Sequence, residues 1–462
     1  MTKTVPAPKT PLPLQLTQWI LNPLGYLNTN FKRYGDIFNA RVLWGESDGL
    51  IIVSDPKALQ YILTHDVGAG KELSAPGDAN RILASLLGEH NLLMLNGNQH
   101  RTRRQLVMPP FHGERLGVYG RLIQEITLGV ISQWPTNGPI DVRCSMQTIT
   151  MRVILQAVFG LHEGERYQQL ERLLGQRLDI TGSPITSAIV FLPWLQKDLG
   201  DWSPGGKFRL MTEQTDRLLL AEISERRAQA DPERVDILSL LLAAKDEEGN
   251  GLTDQELRDE LMMFLLVGHE TTATALTWAM YWVHSFPEVK QRLMAELETV
   301  SDPADPFQFL QLPYLNAVCN ETLRIYPVAM LTFPRRVEVP IELCGYQLEP
   351  GMLLMGAMYL VHQREELYPQ PREFRPERFL ERQFSPYEFI PFGAGARRCV
   401  GAALAQYELK IVLATILTRL DLNLVNKRPV KPGRRGVTLG QTSPVLVEKL
   451  RSRSVSKPLV KV

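Results

Sequence analysis

A chain of 462 residues with 51 Lys and Arg against 50 Asp and Glu carries a net charge of +1, which excludes the basic excess of a dedicated nucleic-acid binder. With 44% hydrophobic and 22% charged residues, its composition is that of a soluble globular protein and not of a disordered one. Four scattered cysteines (Cys144, Cys319, Cys344, Cys399) form no Cys-x-x-Cys pair, so zinc ribbons, ferredoxin-type clusters and a secreted disulfide framework are excluded and a reducing cytoplasm is expected. No polar linker divides the chain. One α+β domain, mainly helical with a smaller sheet portion, is expected over residues 34–450, between a lead-in (1–33) and a frayed basic tail (451–462). Its size leaves room for a cavity holding cofactor and substrate together.

The lead-in is stiffened by proline and carries a short helix. Its apolar stretch from Leu12 to Leu27 is broken by Gln15, Thr17, Gln18, Asn22 and Pro23, short of the ~20 continuous apolar residues of a membrane span, so no transmembrane anchor is expected. Residues 36–54 read as two strands joined by a polar turn. Val67-Gly-Ala-Gly-Lys71 imitates a phosphate loop, but Glu72 follows the lysine, and the segment reads as a turn. His100 and Arg104 share a helix face at i and i+4.

Helical patterns dominate from Pro56 to Tyr326. Thr253 and Glu256 form a capping box, and nothing breaks the pattern until Pro287, which gives a helix about 50 Å long at ~1.5 Å per residue. Between Glu260 and Glu288 its only formal charge is Glu270, so the helix must run through the core with one acid at its middle. Around that acid lies Gly268-His-Glu-Thr-Thr272, where Thr271 and Thr272 are placed to bond back to the Val267 and Gly268 carbonyls. Glu321 and Arg324 stand at i and i+3 on a helix between Pro313 and Pro327; alone, such a pair reads as a surface ion pair. Strand patterns return at 337–343, 352–358 and 436–439.

The densest signal is Phe392-Gly-Ala-Gly-Ala-Arg-Arg-Cys-Val-Gly401, followed by an Ala-rich helix. Gly393 and Gly395 allow a tight backbone beneath a flat ligand. Cys399 sits at a helix N-terminus, where the dipole favours a thiolate, and Arg397 is placed to neutralise an anion. No Gly-x-Gly-x-x-Gly follows a strand, so the chain holds no nicotinamide or flavin domain with which to draw electrons from NAD(P)H.

Phe392, Gly395, Arg397, Cys399 and Gly401 resemble, in type and spacing, the haem-binding loop of the cytochrome P-450 family. The order Glu321-Thr-Leu-Arg324, Pro376-Glu-Arg-Phe379, then the cysteine loop resembles the same family. The resemblance, from about Tyr34 onward, implies the family's fold, with a long helix over haem b, and Cys399 as the iron's axial thiolate with Phe392 packed beside the sulfur. It implies that Arg397, Arg335, His100 and Arg104 serve the haem propionates, and that Glu321, Arg324 and Arg378 form a structural cluster clamping the cysteine loop. Gly268–Thr272 resembles the family's oxygen-activation site, with Glu270 relaying protons and Thr271 steadying oxygen; Val267 stands where the family has Ala or Gly, and His269 is given no catalytic role.

The resemblance further implies a monooxygenase dependent on a ferredoxin-type donor and its reductase. The donor is expected to dock on a basic face around Arg101, Arg103, Arg398 and Lys410. Specificity in the family comes from three segments, here Ile82–Leu95, Ile180–Leu195 and Val328–Phe333, all rich in apolar residues, which suits a lipophilic substrate. Leu86, Leu87, Val267, Val328, Ala329, Met330 and Leu331 are its candidate pocket. The runs Tyr34-Gly-Asp-Ile-Phe38 and Arg434-Arg-Gly-Val-Thr-Leu439 resemble a cyanobacterial branch acting on fatty acids and terpenoids. A cytoplasmic monomer, at most peripheral to a membrane, is expected. Two rival classes share the haem: a gas-binding or electron-transfer protein, and a relative that uses or rearranges peroxides.

Overall fold

The computed structural model describes residues 4–453 apart from 43–48, 67–71, 112, 114, 161–163, 180–196, 230, 232 and 235. The turn at Val67–Lys71 and the specificity segment Ile180–Leu195 therefore lie outside the described residues.

The central helix runs from Asp254 to Ser285, and its capping box is formed: the Glu256 carboxylate accepts from Thr253 N at 2.9 Å, and Thr253 Oγ1 accepts from Glu256 N at 3.3 Å. Leu261, Leu265, Ala273, Leu276, Trp278 and Val283 are all fully buried around its circumference. Such a helix has no solvent face and must be enclosed. The enclosing helices include α6 (Arg115–Ser132), α7 (Val142–Phe159) and the cysteine helix (Ala402–Arg419), with α4 (Ala84–Leu87), α8 (Glu165–Asp179) and α9 (Pro204–Ala228) packed at one end.

A second layer is built on a five-stranded sheet in the order β1 (Ile37–Ala40), β2 (Leu50–Val53), β8 (Leu353–Gly356), β5 (Arg335–Val337), β3 (Leu73–Ser74), with β2 and β8 parallel and the other pairs antiparallel. Both faces of β1 and β2 are buried, and side chains alternate between them. Ile37, Ile51 and Val53 face Leu59 and Ile62 of α3 (Pro56–Thr64), while Phe38, Leu50 and Ile52 face Trp19, Leu24 and Leu27 of α1 (Leu12–Leu21) and α2 (Pro23–Tyr34). The stretch expected as a lead-in thus supplies two helices that cover one face of the sheet.

The hairpin β10 (Pro432–Arg435) and β11 (Thr438–Gln441) is tied to α1 by a buried arginine. Arg434 donates from Nε and Nη2 to the Trp19 carbonyl at 3.2 and 2.9 Å and lies 4.5 Å from the Trp19 ring centroid. The C-terminal strand β12 (Leu446–Ser452) pairs with β9 (Leu420–Leu424), so Arg451 and Ser452, expected in the frayed tail, sit opposite Asp421 and Leu420 in a ladder.

Candidate active site

The cysteine loop is closed by a hydrogen bond from Cys399 N to the Phe392 carbonyl at 3.0 Å. Its glycines are left-handed, Gly393 at φ 65° and Gly395 at φ 69°, which L side chains rarely adopt. A Cβ on Gly395 would collide with the Leu63 carbonyl and the Asp66 carboxylate. Asp66 Oδ2 accepts from Ala396 N at 3.1 Å and from Arg335 Nε at 2.7 Å, so one buried acid fixes loop and arginine together. Sequence reasoning missed Asp66 because it follows α3 with no motif around it.

Cys399 is walled in by protein yet its side chain is exposed, so it faces an interior space. Burial pushes its thiol up, against the Gly401 amide and the charges of Arg104 and Arg398, which favour the thiolate. The helix-terminal setting alone therefore does not win; a thiolate here needs a cation beside it, which the iron of a haem provides.

Four basic side chains lie within electrostatic reach of one another. Burial, then the charges of Arg397, Arg104 and Arg335, push His100 down to about 3, so it is neutral. Arg397 is pushed down to about 10 by burial and by Arg335 and Arg104. Arg335 also holds the Phe333 and Ala394 carbonyls at 2.8 and 3.2 Å. Arg397 holds those of Ala75, Leu92 and Leu95 at 2.7, 3.0 and 2.6 Å. Both arginines thus brace backbone around the cysteine loop as well as adding charge. A crowd of cations with Asp66 as its close counter-ion fits a dianionic cofactor above the loop.

On the central helix, Val267 is 41% exposed beside the buried Leu266, with Thr271 one turn on along the same face. Thr271 Oγ1 donates to the Val267 carbonyl at 2.7 Å and Thr272 Oγ1 to that of Gly268 at 2.9 Å. Gly268 faces α7: its Cβ would stand 3.3 Å from Ile154, so the glycine admits a neighbouring helix and not a ligand. Glu270 is not alone. It forms an ion pair with Arg143 of α7 and accepts from Gln147 Nε2 at 3.3 Å. Arg143 also donates to Thr274 at 3.2 Å and to Gln441 of β11 at 3.3 Å. His269 meets Thr150 at 2.7 Å, and burial pushes it down to about 4.

Glu321 accepts from Arg324 Nε at 2.6 Å, Arg378 Nε at 3.0 Å and Arg375 N at 2.8 Å, and the side chains of Glu321, Arg324 and Arg378 are buried. The pair that reads as a surface bridge in isolation is a core cluster. Arg324 reaches on to the His362 carbonyl at 2.7 Å. The His362 ring accepts from Ile390 N at 3.0 Å, and Tyr368 Oη donates to the Glu388 carbonyl at 2.9 Å, two links that carry the cluster to the start of the cysteine loop.

Two expectations are corrected. Arg103 is buried and donates to the Glu260 carboxylate at 3.0 Å, with Glu256 also paired, so it belongs to the contact between α5 (Gly97–Val107) and the central helix and not to an outer basic face. Met330 and Leu331 pack into the cluster of α1, α2 and the sheet, because their backbone runs against β8; Val328 is buried in the main core and Ala329 is exposed. Leu87 is buried, with Leu86 partly buried beside it.

A sequence profile described as Cytochrome P450 matches residues 6–446, beginning well before the Tyr34 from which the resemblance was read. Cytochrome P450 135B1 of Mycobacterium tuberculosis is 34% identical over 431 residues, covering 92% of this chain and 87% of the relative. Cytochrome P450 138 of Mycobacterium bovis is 30% identical over 435 residues, covering 94% and 93%. The solved structure of retinoic acid-bound cyanobacterial CYP120A1 superposes with a TM-score of 0.80 at 23% identity, covering 98% of this chain and 100% of that one. Among the described residues no helix is long and apolar enough to cross a membrane. The chain belongs to the cytochrome P450 family, the haem-thiolate monooxygenases.

Proposed function

We propose that this enzyme hydroxylates a fatty acid or terpenoid with electrons from a ferredoxin-type carrier and its reductase. The observation that carries the reading is the central helix at 267–271. Val267 is exposed within this otherwise enclosed helix and Thr271 lies one turn on, while Glu270 is held against α7 by Arg143. A gas carrier needs neither this acid nor this hydroxyl, and relatives that use or rearrange peroxides usually lack the oxygen-activating threonine that Thr271 matches.

Cys399 would hold the iron with Phe392 beside it, and His100, Arg104, Arg335 and Arg397 would meet the propionates. When bound, haem supplies the oxidising chemistry, and the protein supplies orientation, proton delivery and water control. Thr271 presents a hydroxyl whose proton now rests on the Val267 carbonyl. Glu270 holds charge beside Arg143 and passes protons when that pair opens. Glu321, Arg324 and Arg378 hold the loop.

The apolar composition of the stretches that hold Leu86, Leu87, Val267 and Val328 supports a lipophilic substrate, and the cyanobacterial neighbour was solved with retinoic acid bound. Arg101 and Arg398 are exposed and Lys410 partly so, which leaves three cations to receive an acidic carrier in place of four. The setting is the cytoplasm, as a monomer with at most peripheral membrane contact.

The test is turnover with a ferredoxin, its reductase and NAD(P)H against a panel of fatty acids and terpenoids. Singly hydroxylated products are expected, at rates that fall as ionic strength rises. Products from peroxide alone, with none from the ferredoxin system, would move the enzyme to the peroxide-using class.

A further inference from the structure

Arg177, near the end of α8, is 3% exposed. Its Nη2 donates to the Leu86 carbonyl of α4 at 2.9 Å, and its guanidinium lies 4.9 Å from the Phe208 ring centroid of α9. Its Nε and Nη1 are buried with no hydrogen-bond partner among the described residues. The nearest carboxylate in charge terms, Asp216, is already held by Arg258 Nε at 2.8 Å, and Arg258 in turn pairs with Asp259 at 2.6 Å. Burial and the charge of Arg258 push Arg177 down to about 10, which leaves it cationic at neutral pH.

A buried guanidinium without an anion is among the costliest arrangements a core can hold, and native proteins keep one where something else satisfies it. Among the described residues, Leu86 offers one carbonyl and Phe208 a ring face. The position is equally telling, since Leu86 belongs to a segment expected to select substrate, and α4 and α8 both pack on the central helix that carries Val267 and Thr271.

We propose that Arg177 is a specificity-determining residue that anchors the carboxylate of an anionic lipophile. The apolar body of the ligand lies along the interior space, and its carboxylate accepts from the unpartnered donors of Arg177 as the seam between α4 and α8 admits it. This rests on the monooxygenase reading and narrows its substrate class to acids over esters, alcohols and hydrocarbons of the same skeleton.

Calorimetric titration of the haem-loaded protein with dodecanoate and with methyl dodecanoate tests it without turnover. The acid is expected to bind roughly 10- to 100-fold tighter than the ester, the range of a hydrogen bond to a charged group. Arg177→Gln is expected to erase that ratio by weakening the acid alone, and Arg177→Lys to keep part of it. If Arg177→Gln does not take up haem, the acid-to-ester ratio of Arg177→Lys decides: a drop supports the anchor and an unchanged ratio overturns it. An unchanged ratio in Arg177→Gln, equal binding of acid and ester by the unsubstituted protein, or binding of neither also overturns the anchor. Hydroxylation of the ester as readily as the acid would sink the anchor and leave the monooxygenase standing, whereas tight acid binding without any oxygenated product would do the reverse.

Discussion

Replacing Glu321 by Gln keeps the shape of the side chain and removes the anion on which two buried guanidinium groups converge. Arg324 and Arg378 would keep their bonds to the His362 and Pro369 carbonyls, at 2.7 and 3.0 Å, but would face an amide whose NH2 cannot accept. Breaking a fully buried ion pair from one side costs about 3–5 kcal/mol. Here one carboxylate serves two arginines and the Arg375 amide, so the upper part of that range is expected. Against a total of ~5–15 kcal/mol for a folded domain, that is a large fraction. Urea unfolding followed by far-ultraviolet circular dichroism should show a lower midpoint at an unchanged slope, and the Glu388–Cys399 loop should lose haem before the helices melt. A double-mutant cycle with Arg378→Ala should be strongly non-additive. A loss under about 1 kcal/mol, or simple additivity, would refute the account of a shared anion and reduce the cluster to a set of independent contacts.

Gly395→Ala places a methyl group against the Leu63 carbonyl and Asp66 at φ 69°; the haem-loaded fraction after expression should fall sharply, while Gly401→Ala, with open space around it, should load normally. Thr271→Ala and Glu270→Gln should lower product formed per O2 consumed, with a rate loss of ~10²–10⁴ for the acid, read by product yield against oxygen uptake. Glu408 is buried without a partner on one oxygen, and burial alone pushes it up to about 8. Its unfolded-state value is near 4.5, so the folded state holds the proton longer, and the stability it lends is full below that pH and falls until about 8. The slope from this one group is about 1.4 kcal/mol per pH unit. Glu408→Gln should flatten the pH dependence of urea midpoints across that window, and an unchanged slope would show that the carboxyl is solvated in the folded protein.

The parts of the site that could be read from sequence are the ones whose chemistry is local. The cysteine loop needs its glycines, arginine and cysteine within ten consecutive residues, and the capping box sets the start of the central helix within four. The back-bonds of Thr271 and Thr272 also follow from helix geometry alone. Partners brought together by tertiary packing could not be read that way. Asp66 meets Ala396 across 330 residues and Arg143 meets Glu270 across 127, and no spacing rule links them. The same holds for His362 and Tyr368, which extend the Glu321 cluster, and for Arg103, which no local pattern separates from Arg101 and Arg104 as the one that pairs with Glu260. Strand β9 alternates cleanly from Leu420 to Leu424 but follows the cysteine helix with no breaker between them, and β12 does not alternate along Leu446-Val-Glu-Lys-Leu-Arg-Ser452, so neither stood out as a strand.

The bond between Arg434 and the Trp19 carbonyl makes the beginning of the chain a mechanical neighbour of its chemistry. Arg434 stands on β10, Gln441 on the paired β11, and Gln441 holds Arg143, which holds Glu270. Whatever displaces α1, whether trimming of the first 21 residues or contact of its outward leucines with a lipid surface, pulls on a lever whose far end is the Arg143–Glu270 pair on the central helix. With Glu270 in the proton-relay role proposed above, proton supply would be tied to how the first helix is seated, through this hairpin.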